Sequence, residues 1–237
     1  MSVSAVFARP ITRLRLHEEI VTIIQKQIMN GTILPGTKLP PEREMAQTFN
    51  VNRTTLREAL HKLETLELIE IRHGDGIYAR NYMESSNLEL VRALVYLEET
   101  KEPLISVLEI RRILIPEMAF LAAKRRTKEH VDALQQIVRS KEQSVMEKDI
   151  QVHLIIARAT GNLLYNILIN FFHQIYRDHG HMYFNDPQNA ERSEAFHRDI
   201  CIAIQKQNAE SARKIMADVL QYAETIIREY LAKKQGA

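Results

Sequence analysis

The run Val51-Asn52-Arg53-Thr54-Thr55-Leu56-Arg57-Glu58-Ala59-Leu60, followed by His61-Lys62-Leu63, decides the fold. On a helical wheel Leu56, Ala59, Leu60 and Leu63 share one side, and Arg53, Thr54, Arg57 and His61 the other. Asn52, just ahead of this periodicity, is of a type that caps helix starts. The spacing predicts an amphipathic helix from Arg53 to about Leu66, with a leucine-lined back and a short, polar, cationic first turn.

Upstream, Pro41-Glu42-Arg43-Glu44 reads as the start of a short helix ending near Phe49-Asn50, with proline in its first turn and acids behind it. The turn-rich Leu34-Pro35-Gly36-Thr37-Lys38-Leu39-Pro40 precedes it. Before that, Ile20, Ile23, Ile24, Gln27 and Ile28 mark a helix from about Leu16 to Asn30, closed by Gly31. Downstream, Leu68-Ile69-Glu70-Ile71-Arg72 and Ile77-Tyr78-Ala79-Arg80 flank His73-Gly74-Asp75-Gly76 and predict a hairpin. Three helices and a small hairpin make an N-terminal winged helix-turn-helix (α/β) over residues 10–80. Residues 81–87 are polar and aperiodic and read as the linker. Residues 88–232 read as an all-α helical bundle, with segments at 88–97, 103–123, 128–146, 148–159, 162–181, 189–207 and 209–232. Pro116 is expected to kink or divide the second of these.

The chain has 237 residues, 45% of them hydrophobic, enough for two modest domains. Met1 to Pro10 shows no apolar core of a secretory signal, and no uncharged apolar stretch is long enough to span a membrane. The single cysteine, Cys201, supports no internal disulfide framework and reads as a packed small hydrophobe. These readings favour a cytoplasmic protein. Net charge is only +2; residues 1–80 hold 11 Lys/Arg against 9 Asp/Glu, and the remainder is balanced at 21 against 21. Any argument for nucleic acid must therefore come from where the cations stand.

They stand where a duplex would be read. The second helix of such a unit enters the major groove. Unpaired N–H groups at its start can hold a phosphate, and Arg53 and Arg57 can reach a guanine edge or the backbone. Thr54 and Thr55 are short enough to permit close approach. Arg43 is placed for a phosphate contact, and Gly74 lets the hairpin tip enter a minor groove with His73 beside it. The same residues also fit a plainer reading, in which Arg53 and Arg57 pair with Glu58 or Glu64 and the tip is an ordinary turn.

The residues quoted so far, from Gly31 through Gly36-Thr37-Lys38-Leu39-Pro40-Pro41-Glu42-Arg43-Glu44, then Val51 to Leu60, Leu66-Glu67-Leu68-Ile69 and His73-Gly74-Asp75-Gly76, resemble the GntR family. The resemblance implies a homodimer on a pseudo-palindromic double-stranded operator, with contacts from Arg43, Arg53, Thr54, Thr55, Arg57, His73 and Gly74. Asn52 stands where the fatty-acid-responsive branch of the family has threonine, and we include it in the candidate DNA-binding set.

In the second half, Asp149 and His153 share a helix face at i and i+4, and His197 follows on another helix. One carboxylate and two imidazoles can bind Zn²⁺ or a Ni-like divalent ion. They equally fit a helix-start carboxylate with two hydrogen-bonded histidines. The stretches Glu109-x-Arg111, Ala119-x-x-Ala122-Ala123, Asp149-x3-His153, Ala159-x-Gly161-Asn162, His197-x-x-Ile200 and Ala212-x3-Met216 resemble the FadR-like branch with an all-helical FCD-type ligand domain. Many such domains hold a metal through an aspartate and three histidines. Asp149, His153 and His197 match three positions, but Val219 stands near the fourth and cannot ligate. The stretch Tyr176-Arg177-x3-His181-x-Tyr183-Phe184-x2-Pro187 instead resembles the metal-free, acyl-CoA-binding branch. Both imply a small organic acid or its acyl thioester as effector. Arg111 is the candidate carboxylate partner, unless Glu109 or Glu117 claims it, and Tyr176 and Tyr183 are candidate lining. His179 or His181 is a candidate substitute for the missing ligand. Two other functions remain open at this point: a metal-dependent hydrolase built on Asp149, His153 and His197, and an effector-independent architectural DNA-binding protein.

Overall fold

The computed structural model describes residues 14–97 and 101–234. The reading of Met1 to Pro10 and the first residues of the 10–80 span lie outside them. The chain divides into two compact units, residues 1–99 and 100–237.

In the first unit α1 (Leu14–Met29), α2 (Glu42–Thr48) and α3 (Arg53–Thr65) precede an antiparallel pair, β1 (Ile69–Arg72) and β2 (Gly76–Ala79). Ile69 pairs with Ala79 and Arg72 with Gly76, which leaves His73, Gly74 and Asp75 as the tip. Gly74 has φ of 77°, a conformation that costs a side-chain-bearing residue more than glycine. A Cβ at Gly76 would meet Lys38 Cε at 2.5 Å, so the flexible lysine tip would have to shift to accommodate one. The apolar stripes close one core from Ile20, Ile24 and Ile28 of α1, Leu56, Leu60 and Leu63 of α3, and Leu68 and Ile69 ahead of and within the wing. This is the predicted winged helix-turn-helix.

The 81–87 segment is not a bare connector. Asn81 caps a 3₁₀ turn at Tyr82–Glu84, Ser85 donates to Glu67 Oε2 at 2.6 Å, and the Asn87 amide donates to the Thr65 carbonyl at 2.7 Å. It is thus tied to the end of α3. The following α4 (Leu88–Val95) places Leu90 in the core of the first unit.

The second unit is all helical: α5 (Glu102–Arg125), α6 (Lys128–Arg139), α7 (Val145–Ala159), α8 (Leu163–His179), the short α9 (His181–Phe184), α10 (Pro187–Gln205) and α11 (Ala209–Lys233). Pro116 does not divide α5, which runs for 24 residues. The break expected at residue 147, between the 128–146 and 148–159 segments, falls earlier, at 140–144. Arg139 ends α6, and Ser144 caps α7 by accepting from the Glu147 amide at 3.2 Å while its own N–H donates to Glu147 Oε2 at 3.0 Å. α5 packs along α11, fastened by Arg112 to Glu224 at 3.0 Å and by Lys101 to the Leu231 carbonyl at 2.7 Å. α7 packs against α5, α6, α8 and α10, so polar residues on it are enclosed from several directions. Cys201 is buried and unbridged, as a packed hydrophobe. No helix among the described residues is long and apolar enough to cross a membrane.

Candidate DNA-reading surface and a buried polar cavity

Asn52 starts α3 as its sequence position suggests: its Oδ1 accepts the Thr55 N–H at 2.8 Å. Thr55 itself faces inward and is 8% exposed. Arg43, Arg53 and Thr54 are exposed, and neither arginine has an ion pair among the described residues. Arg57 does, though not with the expected Glu58 or Glu64. Its Nε donates to Glu42 Oε2 at 2.8 Å, from α3 to the first residue of α2. Glu64 instead accepts the Ile71 N–H at 3.2 Å, joining helix to wing.

The wing repeats this pairing. Lys38 donates to Asp75 at 3.1 Å, Tyr78 donates its hydroxyl to the same carboxylate at 3.0 Å, and Arg72 pairs with Glu70 at 2.9 Å. The hydrogen bond from Lys38, with that from Tyr78, holds the Asp75 carboxyl below its ordinary range. Arg72 stacks 4.3 Å from the Tyr78 ring centre. Arg57, Lys38, Arg72, His73 and Gly74 line one groove of about 910 Å³ between α2 and the wing. The candidate contacts from the wing and from Arg57 therefore face the same space.

In the second unit the structure brings Asp149, His153 and His197 together, with Tyr176. His197 Nε2 lies 3.0 Å from Asp149 Oδ1, Tyr176 donates to Oδ2 at 2.8 Å, and His153 Nδ1 is 2.9 Å from the Asp149 carbonyl oxygen. Burial works to raise the Asp149 carboxyl, but the charge of His153 and the hydrogen bonds from His197 and Tyr176 outweigh it and hold it well below its usual range. A carbonyl can only accept, so His153 carries its proton on Nδ1, the nitrogen that is 3.5 Å from the carboxylate. Its Nε2 has no hydrogen-bond partner.

This arrangement lends no support to a divalent ion. Both Asp149 oxygens are committed to N–H or O–H donors, and His153 meets the carboxylate through a protonated nitrogen. Val219 lines the cavity at the position where a further ligand was expected. Among the described residues no group of three or more His, Cys, Asp or Glu side chains is placed to hold a metal. Neither proposed substitute helps: His179 bonds back to the Ile175 carbonyl at 3.0 Å, and His181 is exposed.

Arg111 is 6% exposed, and its Nε has no hydrogen-bond partner. Glu117, one of its two candidate partners, is taken by Arg213 at 2.7 Å, and Glu109 is exposed. Arg111 lies 4.9 Å from the Tyr176 ring centre instead. Burial pushes its guanidinium down, against the opposing influence of Tyr176 and Asp149. Arg111 and Tyr176 line both of two small cavities of about 20 Å³ each, room for roughly one water. One is polar and lined by Asp149, His153, Tyr183 and Ser193. The other is apolar and lined by Leu104, Val107, Leu108, Phe172 and Ile175. His173 is a site residue that the sequence analysis did not single out. It is buried, stands 6.2 Å from His153 ring to ring, and has an unpartnered Nδ1. Its spacing of three from Tyr176 on α8 was the available signal.

Comparison with known proteins agrees with both halves. Residues 16–79 match the family model described as bacterial regulatory proteins, gntR family, and residues 80–233 match the FadR C-terminal domain. The chain belongs to the FadR-like branch of the GntR family. Members of this branch similar to it include the fatty acid metabolism regulator protein of Shewanella sp. (strain ANA-3), 30% identical over 78% of each chain. The Uxu operon transcriptional regulator of Escherichia coli is 29% identical over 91% of this chain and 88% of its own. An HTH-type transcriptional regulator of Mycobacterium tuberculosis is 42% identical over 56% of this chain and 54% of its own. The solved structure of Lar from Listeria monocytogenes shares the fold, with a TM-score of 0.58 at 15% identity over 93% of this chain and 98% of its own. The GntR-family chain is thus a transcription regulator and not an enzyme, and nothing supports the hydrolase alternative.

Proposed function

We propose that this regulator binds a specific pseudo-palindromic operator as a homodimer, and that a small carboxylate or acyl thioester in the second unit changes its operator affinity. The carrying observation is Arg111: a buried guanidinium with an unsatisfied Nε, between a polar and an apolar cavity. An unpaired buried cation is costly, and an anionic ligand relieves that cost. The acid head faces Arg111, Tyr176 and Tyr183, and an acyl chain takes the neighbouring apolar space. The fatty-acid names of several relatives favour the acyl form. The unpartnered polar atoms around this cavity speak against a purely architectural protein. A regulator acting on the chromosome works in the cytoplasm.

DNA contact is assigned to Arg43, Arg53, Thr54, Arg57, His73 and Gly74, with Asn52 and Thr55 shaping the start of α3. Response follows as a population shift. The cavities as they stand hold about one water each, so an effector selects a state with more room, and that state differs in operator affinity. Such couplings amount to about 5- to 150-fold.

The test is an operator selected from random duplexes, titrated with the full-length protein against acyl-CoAs of several lengths and small organic acids. At least one ligand is expected to change operator affinity within that range. Arg111→Met is expected to keep operator binding and lose the response. A wild-type affinity indifferent to every ligand, or an Arg111→Met variant that responds like wild type, would refute the proposal.

A further inference from the structure

Arg57, Lys38 and Arg72 face one groove, and each is held by a carboxylate of the same unit: Glu42 at 2.8 Å, Asp75 at 3.1 Å and Glu70 at 2.9 Å. Asp75 and Glu70 lie in or beside the strand pair, which carries Arg72 and to which Lys38 is bridged at Tyr78, and there they also serve the wing's own geometry. Glu42 is different. It is the first residue of α2, its pairing spans 15 positions to α3, and its side chain is less exposed (32%) than that of Arg57 (67%). The carboxylate is thus the more enclosed member of the pair and the guanidinium the more open to an incoming phosphate. Arg43 and Arg53, exposed on the same two helices, carry no such partner among the described residues.

From this we infer that Glu42 is a positioning residue that competes with DNA phosphate for Arg57, and so suppresses binding to duplex that offers Arg57 nothing better than a backbone oxygen. The inference rests on the reading of α3 and the wing as the DNA surface. Physically, a guanidinium already neutralised by an internal carboxylate gains little from one phosphate, and releasing it leaves Glu42 facing a polyanion. Arg57 then adds less to the salt dependence of binding than a free arginine does. A bidentate guanine edge is a stronger competitor than a single backbone oxygen, so the restraint falls hardest on non-specific complexes.

Full-length wild type, Glu42→Gln, Glu44→Gln, Arg57→Ala and the Glu42→Gln/Arg57→Ala double variant would be titrated with a duplex of random sequence at several salt concentrations. Glu42→Gln is expected to tighten binding about 2- to 5-fold at low salt. It should also steepen the log–log salt slope by about 0.9. Glu44→Gln, which removes the same charge without touching Arg57, is expected to do less. In the Arg57→Ala background the gain from Glu42→Gln should vanish. Equal effects of the two glutamine variants, or a gain that persists without Arg57, reduce Glu42 to general charge and overturn the inference. If Arg57→Ala weakens binding while Glu42→Gln is inert, the inference fails and the DNA surface stands. If Arg57→Ala has no effect on any duplex, both fail.

Discussion

Burial leaves His173 with little use for a proton: together with the charges of His153 and Arg111 it pushes the imidazole down to about 3, from an ordinary 6.5. The unfolded chain takes up that proton near 6.5 and the folded chain only near 3, so between these values the unfolded state binds more protons. His173 thus costs no stability above 6.5 and erodes it as pH falls through the window toward 3. One such group is worth about 1.4 kcal/mol per pH unit, or about 2 kcal/mol between pH 7 and pH 5. Urea unfolding at the two pH values is expected to show the loss, and His173→Gln to show less of it; an equal loss in the variant would relocate the effect. Sequence made Asp149, His153 and His197 legible as a set, through the i,i+4 spacing and the family pattern. It hid His173, because one histidine in an aromatic-rich helix gives no hint of which residues it meets. Arg57 taught the same lesson. Its helical neighbours Glu58 and Glu64 were the obvious partners, but the turn between α2 and α3 delivers Glu42.

Elements were legible where one period or one cap dominated. The stripe of α3 and the Asn52 cap fixed that helix to within a residue of its observed end, and glycines at the tip fixed the hairpin. Between residues 139 and 146 no residue type forbids helix, so the sequence reading carries the first helix on to 146 and breaks it only at 147. The break is set by Ser144 and Glu147, a capping box whose signal was present but weaker than the surrounding helix-compatible run. Pro116 shows the opposite: a strong breaker overruled by the packing of a 24-residue helix along α11. The same logic gives a prediction for α3. Asn52→Ala removes the acceptor of the Thr55 N–H and is expected to lower the stability of the first unit by about 1 kcal/mol. Duplex binding should weaken as well, since the frayed turn carries Arg53 and Thr54. Thermal unfolding unchanged from wild type would show that water replaces the cap without cost.

For the molecule as a whole, the unresolved matter of assignment is α4. The family model for the second half begins at residue 80, yet Leu90 is 4% exposed inside the core of the first unit. The sequence could not show this, because an amphipathic eight-residue helix does not say which core it serves. Leu90→Ala is expected to cost about 2–3 kcal/mol. Hydrogen exchange should locate the loosening in α1 and α3; faster exchange confined to α5 through α11 would assign α4 to the other unit. The second unit carries a consequence in time as well as in energy. A chamber with space for a single water admits no larger guest until its walls part, so capture waits on the walls and not on diffusion. Under the proposed function, raising the dose hastens the response only up to the frequency with which α5, α8 and α11 part, and a brief pulse of metabolite passes unregistered.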